Sequence, residues 1–138
     1  MPNVNEAGNR TILVVEDERP LQEVIRKKLE STGFNVLSAR TIEQATEYME
    51  EVPDVKVIWL DHYLLGGETG IDFVAKVKSH PIWRQVPIFV VSNTASPDNV
   101  QSYLQLGVKE FYTKSDFRLD QIIAAIQSAL TQSGDQDN

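Results

Sequence analysis

The sequence predicts one α/β domain in which a parallel sheet is covered by helices on both faces. Short apolar runs rich in β-branched residues alternate with segments whose apolar residues recur at three- and four-residue steps, which is the pattern of strands followed by helices. The runs are apolar at successive positions, as expected for strands buried on both faces of a sheet. A chain of 138 residues is long enough for one hydrophobic core.

Five strands are predicted from these runs, and a helical pattern follows each of them. The runs are TILVVE, NVLSA, VKVIWL, VPIFVVS and the weaker VKEFYTK. Five such units predict a flavodoxin-like, doubly wound, five-stranded parallel sheet with five helices. The ligand site of such a sheet lies at the carboxyl ends of its strands, near the point where the strand order reverses.

The first three helices have start or stop signals. Pro20 suits the first turn of the first helix, and Gly33 ends its apolar pattern. Thr41 and Gln44 predict a capping box at the start of the second helix. The third helix is expected from about Gly70.

The last two helices differ in the strength of their apolar pattern. The fourth is predicted to open at Ser96 and Pro97 and to reach Gly107, with few apolar residues on its face. The fifth, from Leu119 to Leu130, has the clearest periodicity in the chain.

The ends of the chain are polar and rich in small residues. We therefore predict flexible tails at residues 1–10 and 131–138, with the folded domain between residues 11 and 130. The N-terminal residues lack the apolar stretch of a secretory signal, and no run approaches the roughly 20 apolar residues of a membrane helix. A cytoplasmic protein without a membrane partner is the expectation.

Composition excludes several classes of site and partner. The chain contains no cysteine, so disulfides and thiolate zinc sites are ruled out. Its net charge of −7 argues against direct binding of nucleic acid, because such proteins concentrate basic residues on one face.

Polar residues follow four of the predicted strands. Glu16 and Asp17 follow the first strand, Asp61 the third and Lys114 the fifth, while Ser92 ends the fourth. Any one of them alone would be read as a solvated loop residue or a helix cap. Together they predict a site for Mg²⁺ and a phosphoryl group, because crowded carboxylates need a cation and Mg²⁺ prefers oxygen ligands.

These residues resemble those of the receiver (CheY-like) domain of two-component response regulators, over residues 11–130. The resemblance implies that Asp61 accepts a phosphoryl group, and that Asp17, Asp61 and the backbone carbonyl of Tyr63 bind Mg²⁺. It places Glu16 beside the metal, either directly or through a water molecule.

The resemblance also implies roles for other residues and for partners. Ser92 and Lys114 would contact the phosphoryl oxygens, and Phe111 matches an aromatic switch on the fifth strand. The donor would be a histidine kinase, a phosphotransfer protein or a small phosphodonor. From these roles we also expect Tyr103, Phe111 and the neighbouring surface of the fifth helix to form a face for a downstream protein partner. The chain would be a signalling receiver that assists its own phosphorylation and dephosphorylation, rather than an enzyme.

Several positions depart from the family pattern. Leu65, Gly66 and Gly67 replace the usual loop after the acceptor, so that Gly70 comes one residue late. Ser115 stands where family members usually carry proline after the lysine, often with a cis bond, so a different local backbone is expected here.

Three further residues flank the predicted site. Asn93 stands where the family has a small residue. Tyr63 and Thr94 hold the positions that, in the family that this chain resembles, tune loss of the phosphate. Neither supplies the amide or carboxylate suited to orienting an attacking water molecule, which predicts slow dephosphorylation.

The chain keeps one alternative function and makes two others improbable. A receiver-like interaction module that needs no phosphorylation remains open. An aspartate-nucleophile phosphohydrolase would need a second acid where Tyr63 stands, and the acidic EDERP segment is unlike the phosphate loop of a flavodoxin.

His62 is predicted to be a solvated loop residue beside the acceptor.

Overall fold

The predicted secondary structure is confirmed by the computed structural model, which describes residues 10–63, 69–93 and 96–137. The strands are β1 (Thr11–Val15), β2 (Asn35–Ala39), β3 (Val55–Leu60), β4 (Ile88–Ser92) and β5 (Glu110–Thr113). The helices are α1 (Arg19–Ser31), α2 (Ile42–Glu51), α3 (Gly70–Ser79), α4 (Pro97–Gln105) and α5 (Leu119–Asp137). A single 3₁₀ turn, Trp83–Gln85, precedes β4.

The strands form one parallel sheet in the order β2-β1-β3-β4-β5, which confirms the doubly wound fold. The chain builds outward in one direction from β1 and in the other from β3, so the strand order reverses between these two neighbours. Their register pairs Val15 with Leu60. The next residues, Glu16 and Asp61, therefore leave the sheet side by side, at the switch point where such folds bind ligands.

Each face of the sheet has its own hydrophobic layer. Along β1, Leu13 and Val15 belong to the layer under α2, α3 and α4, whereas Ile12 and Val14 belong to the layer under α1 and α5. All four side chains are completely buried. Burial on both faces explains why the three central strands, β1, β3 and β4, read as nearly continuous apolar runs rather than alternating ones.

The helix start and stop signals are mostly reproduced. Gly33 has φ +97°, a conformation that favours glycine, and it ends α1 as predicted. Thr41 accepts a hydrogen bond from the Gln44 N–H at 3.0 Å. The predicted capping box is only half formed, because the Gln44 side chain accepts from the Arg40 N–H at 2.7 Å instead of the Thr41 N–H.

The last helix runs further than its apolar pattern predicted. The apolar periodicity predicts a helix from Leu119 to Leu130, whereas α5 continues to Asp137, and the domain boundary at residue 130 stays a prediction. The polar residues after Leu130 include no proline, so the backbone continues the helix after its apolar face has ended. Residues 1–9, most of the predicted N-terminal tail, lie outside the described residues. Among the described helices, none is both long and apolar enough to cross a membrane.

Candidate functional site

The three acids predicted to meet at the sheet edge do so. Glu16, Asp17 and Asp61 each contribute a carboxylate oxygen, and these oxygens lie within 4.8 Å of one another. The side chains of Glu16 and Asp61 are buried and that of Asp17 is half-buried. One divalent cation could therefore contact acids from the ends of β1 and β3.

Lys114 and Ser92 lie at the carboxyl ends of β5 and β4. The backbone N–H of Lys114 donates to the Ser92 carbonyl at 2.7 Å, which fixes the two positions against each other. The Lys114 ammonium is 3.1 Å from Glu16 Oε1 and 3.9 Å from Asp61 Oδ2. Ser92 is completely buried, and its hydroxyl has no hydrogen-bond partner among the described residues. A buried hydroxyl without a partner is costly, so this oxygen is suited to a ligand.

The site carries more negative charge than Lys114 balances. Burial, with the charge of Glu16 as the next cause, raises the pKa of Asp61 from 3.8 to about 7 in spite of Lys114. Burial also raises the pKa of Glu16, and Lys114 opposes this only in part. Three hard oxygen donors with uncompensated charge are the donor set that Mg²⁺ or another hard divalent cation prefers.

Side chains that the sequence analysis missed hold the loop after β1. The Arg40 guanidinium donates to the Asp17 carbonyl at 3.0 and 3.2 Å. The Gln22 amide donates to the carbonyls of Glu16, at 3.0 Å, and Ala39, at 2.9 Å. Arg40 follows β2 at the same sheet edge, which could have identified it. Gln22 lies within α1 and has no comparable signal.

Other predicted features are only partly described. Tyr63 is 55% exposed and forms an isolated antiparallel bridge with Thr69, but the role of its carbonyl stays a prediction. The Leu65 to Gly67 segment and Thr94 lie outside the described residues. The Lys114–Ser115 bond is not cis, since the described residues contain no cis peptide. Asn93 is exposed.

His62 is buried, which corrects the prediction of a solvated loop residue. Its side chain is in an interior position, with 6% of the residue exposed. Nδ1 lies 2.7 Å from the Tyr103 hydroxyl and Nε2 lies 3.3 Å from the Asn99 amide nitrogen. Burial lowers the pKa of His62, which favours the neutral ring. A polar ring can be buried here because both of its nitrogens have partners.

The aromatic residues near β5 are also placed differently from the prediction. Tyr103 is completely buried, so it is not part of an exposed partner face. Its ring packs against Phe111, with ring centroids 5.6 Å apart and planes tilted by 47°. Phe111 is half-buried, and its role as a switch stays a prediction.

Comparisons with known proteins identify the family. A family model described as the response regulator receiver domain matches residues 12–127. The phosphate regulon transcriptional regulatory protein PhoB of Pseudomonas aeruginosa is 30% identical over 130 residues, which cover 94% of this chain and 55% of PhoB. The chain spans about half the length of the curated relatives it matches first.

Solved structures show the same fold. A response regulator receiver domain protein (CheY-like) from Methanospirillum hungatei JF-1 aligns with a TM-score of 0.83 and 19% identity, over 92% of this chain and 98% of the other. The Mn²⁺-bound form of response regulator Rcp1 aligns with a TM-score of 0.73 and 22% identity, over 86% and 92% of the two chains. The family match and this architecture confirm the resemblance, and the chain belongs to the response regulator receiver domain family.

Proposed function

We propose that Asp61 accepts a phosphoryl group from the phosphohistidine of a histidine kinase or phosphotransfer protein, and that this changes binding to a downstream protein partner. One observation carries the proposal: acids from β1 and β3 converge within 4.8 Å, at the sheet edge where Lys114 and Ser92 also lie. An interaction module that needs no phosphorylation is not favoured, because its function would not require the acids, the lysine and the serine to converge at one site.

In the proposed reaction, a carboxylate oxygen of Asp61 forms a bond to phosphorus while the bond from phosphorus to the donor's imidazole nitrogen breaks. The imidazole leaves with the electron pair of that bond. The His62 N–H donates to Asp61 Oδ1 at 2.8 Å and so fixes the orientation of the carboxylate. Oδ2 is the oxygen on the side of Lys114. The backbone thereby holds the nucleophile in position before the donor arrives.

The proposed metal site uses the side chains of Asp17 and Asp61 and the backbone carbonyl of Tyr63, with Glu16 beside it or linked through water. Mg²⁺ bound there would spread the negative charge that develops on the transferred oxygens. The Mn²⁺ in the Rcp1 structure supports a divalent cation in this fold, and the excess of carboxylates over ammonium groups supports it in this chain.

Ser92 and Lys114 are proposed to contact the oxygens of the phosphoryl group. The Ser92 hydroxyl is a donor without a partner among the described residues, and the Lys114 ammonium already lies near Asp61. Donors of this kind stabilise the charge of a phosphoryl group strongly when they are buried.

We also propose that the acyl phosphate is long-lived. Tyr63 and Thr94 offer neither an amide nor a carboxylate to orient an attacking water molecule. The decay of phosphorylated protein after donor removal measures this property, and a lifetime of seconds would contradict it.

The partner face is proposed on β5, the neighbouring surface of α5 and the exposed side of α4. Leu104 of α4 is 52% exposed, and Phe111 of β5 is half-buried next to Tyr103. The acyl phosphate at Asp61 would carry up to about two negative charges, in place of the single charge of the carboxylate. Movement of Phe111 and α4 would change the shape of this face for the partner.

Incubation with Mg²⁺ and acetyl phosphate tests the phosphorylation step. We expect the native protein to gain the mass of one phosphoryl group and Asp61→Asn to gain none. Asp54→Asn is the matched control, because Asp54 is an exposed aspartate immediately before β3. The proposal fails if the native protein remains unmodified with Mg²⁺ present, or if Asp61→Asn is modified as fully as the native protein.

A further inference from the structure

A hydrogen-bond network, buried at two of its three residues, joins the residue after the acceptor to α4. We call it the His62 network, and it consists of His62, Asn99 and Tyr103. The imidazole contacts Tyr103 through Nδ1, at 2.7 Å, and Asn99 through Nε2, at 3.3 Å. Asn99 and Tyr103 are four residues apart on α4 and therefore lie on one face of the helix. One ring thus contacts two successive turns of α4.

The Tyr103 hydroxyl also lies against the start of α3. A β-carbon at Gly70 would overlap this hydroxyl and would lie 2.8 Å from the Asp61 carbonyl oxygen. The Gly70 N–H donates to the His62 carbonyl at 2.8 Å. Only glycine leaves room for the hydroxyl at this point, so the phenol of α4 packs directly on the backbone that carries the acceptor.

The same residue, His62, contacts the acceptor through its backbone. Its N–H donates to Asp61 Oδ1 at 2.8 Å, while its side chain contacts α4. On the other side of the network, the Tyr103 ring packs on Phe111 at 5.6 Å. A continuous set of contacts therefore runs from the Asp61 carboxylate through His62 and Tyr103 to β5.

The network favours the arrangement of α4 seen in the unmodified chain. A buried polar group loses stability when it is separated from its partner, so α4 cannot shift away from His62 without cost. A contact shifts the balance between two conformations only if its free energy differs between them. The His62 contacts exist in this arrangement, and a shift of α4 would weaken them.

We propose that His62 is a positioning residue whose side chain holds α4 against the ends of β3 and α3, and that the His62 network sets how readily modification of Asp61 shifts α4. This proposal rests on the proposed function. It identifies a connection between the acceptor and α4 that runs through the backbone and side chain of His62 rather than through the phosphoryl group itself.

Binding of beryllofluoride in the presence of Mg²⁺ tests the proposal. His62→Leu removes both side-chain contacts, and we expect it to bind beryllofluoride about five-fold more tightly than the native protein, the equivalent of about 1 kcal/mol. His62→Asn keeps an amide near the position of Nδ1 but loses the contact at Nε2, so its affinity should return most of the way to the native value and match that of Asn99→Ala. Asn99→Ala removes only the outer contact, on a half-buried residue, and should give a smaller shift in the same direction.

A second measurement does not depend on phosphoryl chemistry. Relaxation dispersion of α4 amides, recorded without Mg²⁺ or beryllofluoride, should increase most in His62→Leu, and less in Asn99→Ala and His62→Asn, which each lose only the contact at Nε2. The proposal is overturned if His62→Leu and Asn99→Ala both match the native protein in these amides, or if they bind beryllofluoride no more tightly than it does. Failure of the proposed function would look different, since the native protein would then not bind beryllofluoride at all.

Discussion

Two polar regions lie next to each other at the carboxyl edge of the sheet, and they differ in how well their groups are satisfied. In the acid site, carboxylates crowd together and the Ser92 hydroxyl lacks a partner among the described residues. In the His62 network, both ring nitrogens contact a polar atom of α4. The backbone of His62 joins the two regions.

The difference indicates what each region does. Polar groups without partners and charges without counter-charges are suited to binding a cation and a phosphoryl group. When neither ligand is bound, these groups destabilise the folded chain. Satisfied groups stabilise one arrangement and resist change. Removing a group from the first region should therefore leave the fold as stable or make it more stable, and removing one from the second should weaken it.

The largest effect is expected for Asp61→Asn in metal-free buffer. The pKa of Asp61 rises from 3.8 to about 7 on folding, so the folded chain holds the proton more tightly than the unfolded chain. The free energy of unfolding therefore falls as pH rises between these values. We expect Asp61→Asn to be about 2–4 kcal/mol more stable than the native protein at about pH 8.

Urea unfolding at about pH 8 and about pH 4 measures this difference, which should nearly vanish at the lower pH, where Asp61 is protonated in the folded chain. Asp54→Asn, at an exposed position, should have little effect at either pH. An Asp61→Asn protein that is less stable than the native protein at about pH 8 would contradict the account of the acid site.

Gly70→Ala should destabilise the chain by about 1–3 kcal/mol, because the added methyl group meets the Tyr103 hydroxyl and the Asp61 carbonyl. Helix propensity alone predicts the opposite sign, since alanine favours helix over glycine. Urea unfolding gives the free energy. In the Tyr103→Phe background the cost should be smaller, because the hydroxyl is absent, and an equal cost in both backgrounds would show that the hydroxyl is not the obstacle.

Tyr103→Phe should cost about 1–2 kcal/mol, because it leaves the buried His62 Nδ1 without its partner. Tyr112→Phe is the matched control, since Tyr112 is only half-buried and its hydroxyl lies outside the network. Thermal or urea unfolding of the two variants compares them directly. Equal stability of Tyr103→Phe and the native protein would mean that the network contributes little.

Ser92→Ala should change stability least, within about 0.5 kcal/mol or slightly towards a more stable fold, since the lost hydroxyl has no described partner. Its effect should instead appear in function, as a rate of phosphorylation by acetyl phosphate that is lower by about tenfold or more. A clear loss of stability would mean that the hydroxyl has a structural partner.

The sequence predicted the acid site because its signals are local. A polar residue ends or directly follows each of the four strands that contribute to the site, and parallel strands end at one edge. The order of these residues along the chain was therefore enough to predict that Asp17 and Asp61 lie together. The His62 network could not be predicted this way. His62 and Tyr103 are 41 residues apart in the chain, and a histidine after a strand has no pattern that shows whether its ring turns inward.

Smaller differences have similar causes. The Gln44 side chain could accept a hydrogen bond from either of two neighbouring backbone N–H groups. It accepts from that of Arg40 rather than, as predicted, from that of Thr41. The apolar periodicity of α5 ends near Leu130, but the backbone of the helix needs no apolar face to continue to Asp137. In both cases the residue types are compatible with two local structures, and the sequence pattern alone does not distinguish between them.

The most direct test of the central claim, that acids from β1 and β3 share one divalent cation, is Mg²⁺ binding by isothermal titration calorimetry. The native protein and Asp54→Asn should bind one Mg²⁺ per chain, and Asp17→Asn and Asp61→Asn should each bind at least about tenfold more weakly. Native affinity in either of these two variants would contradict a site shared between the strands.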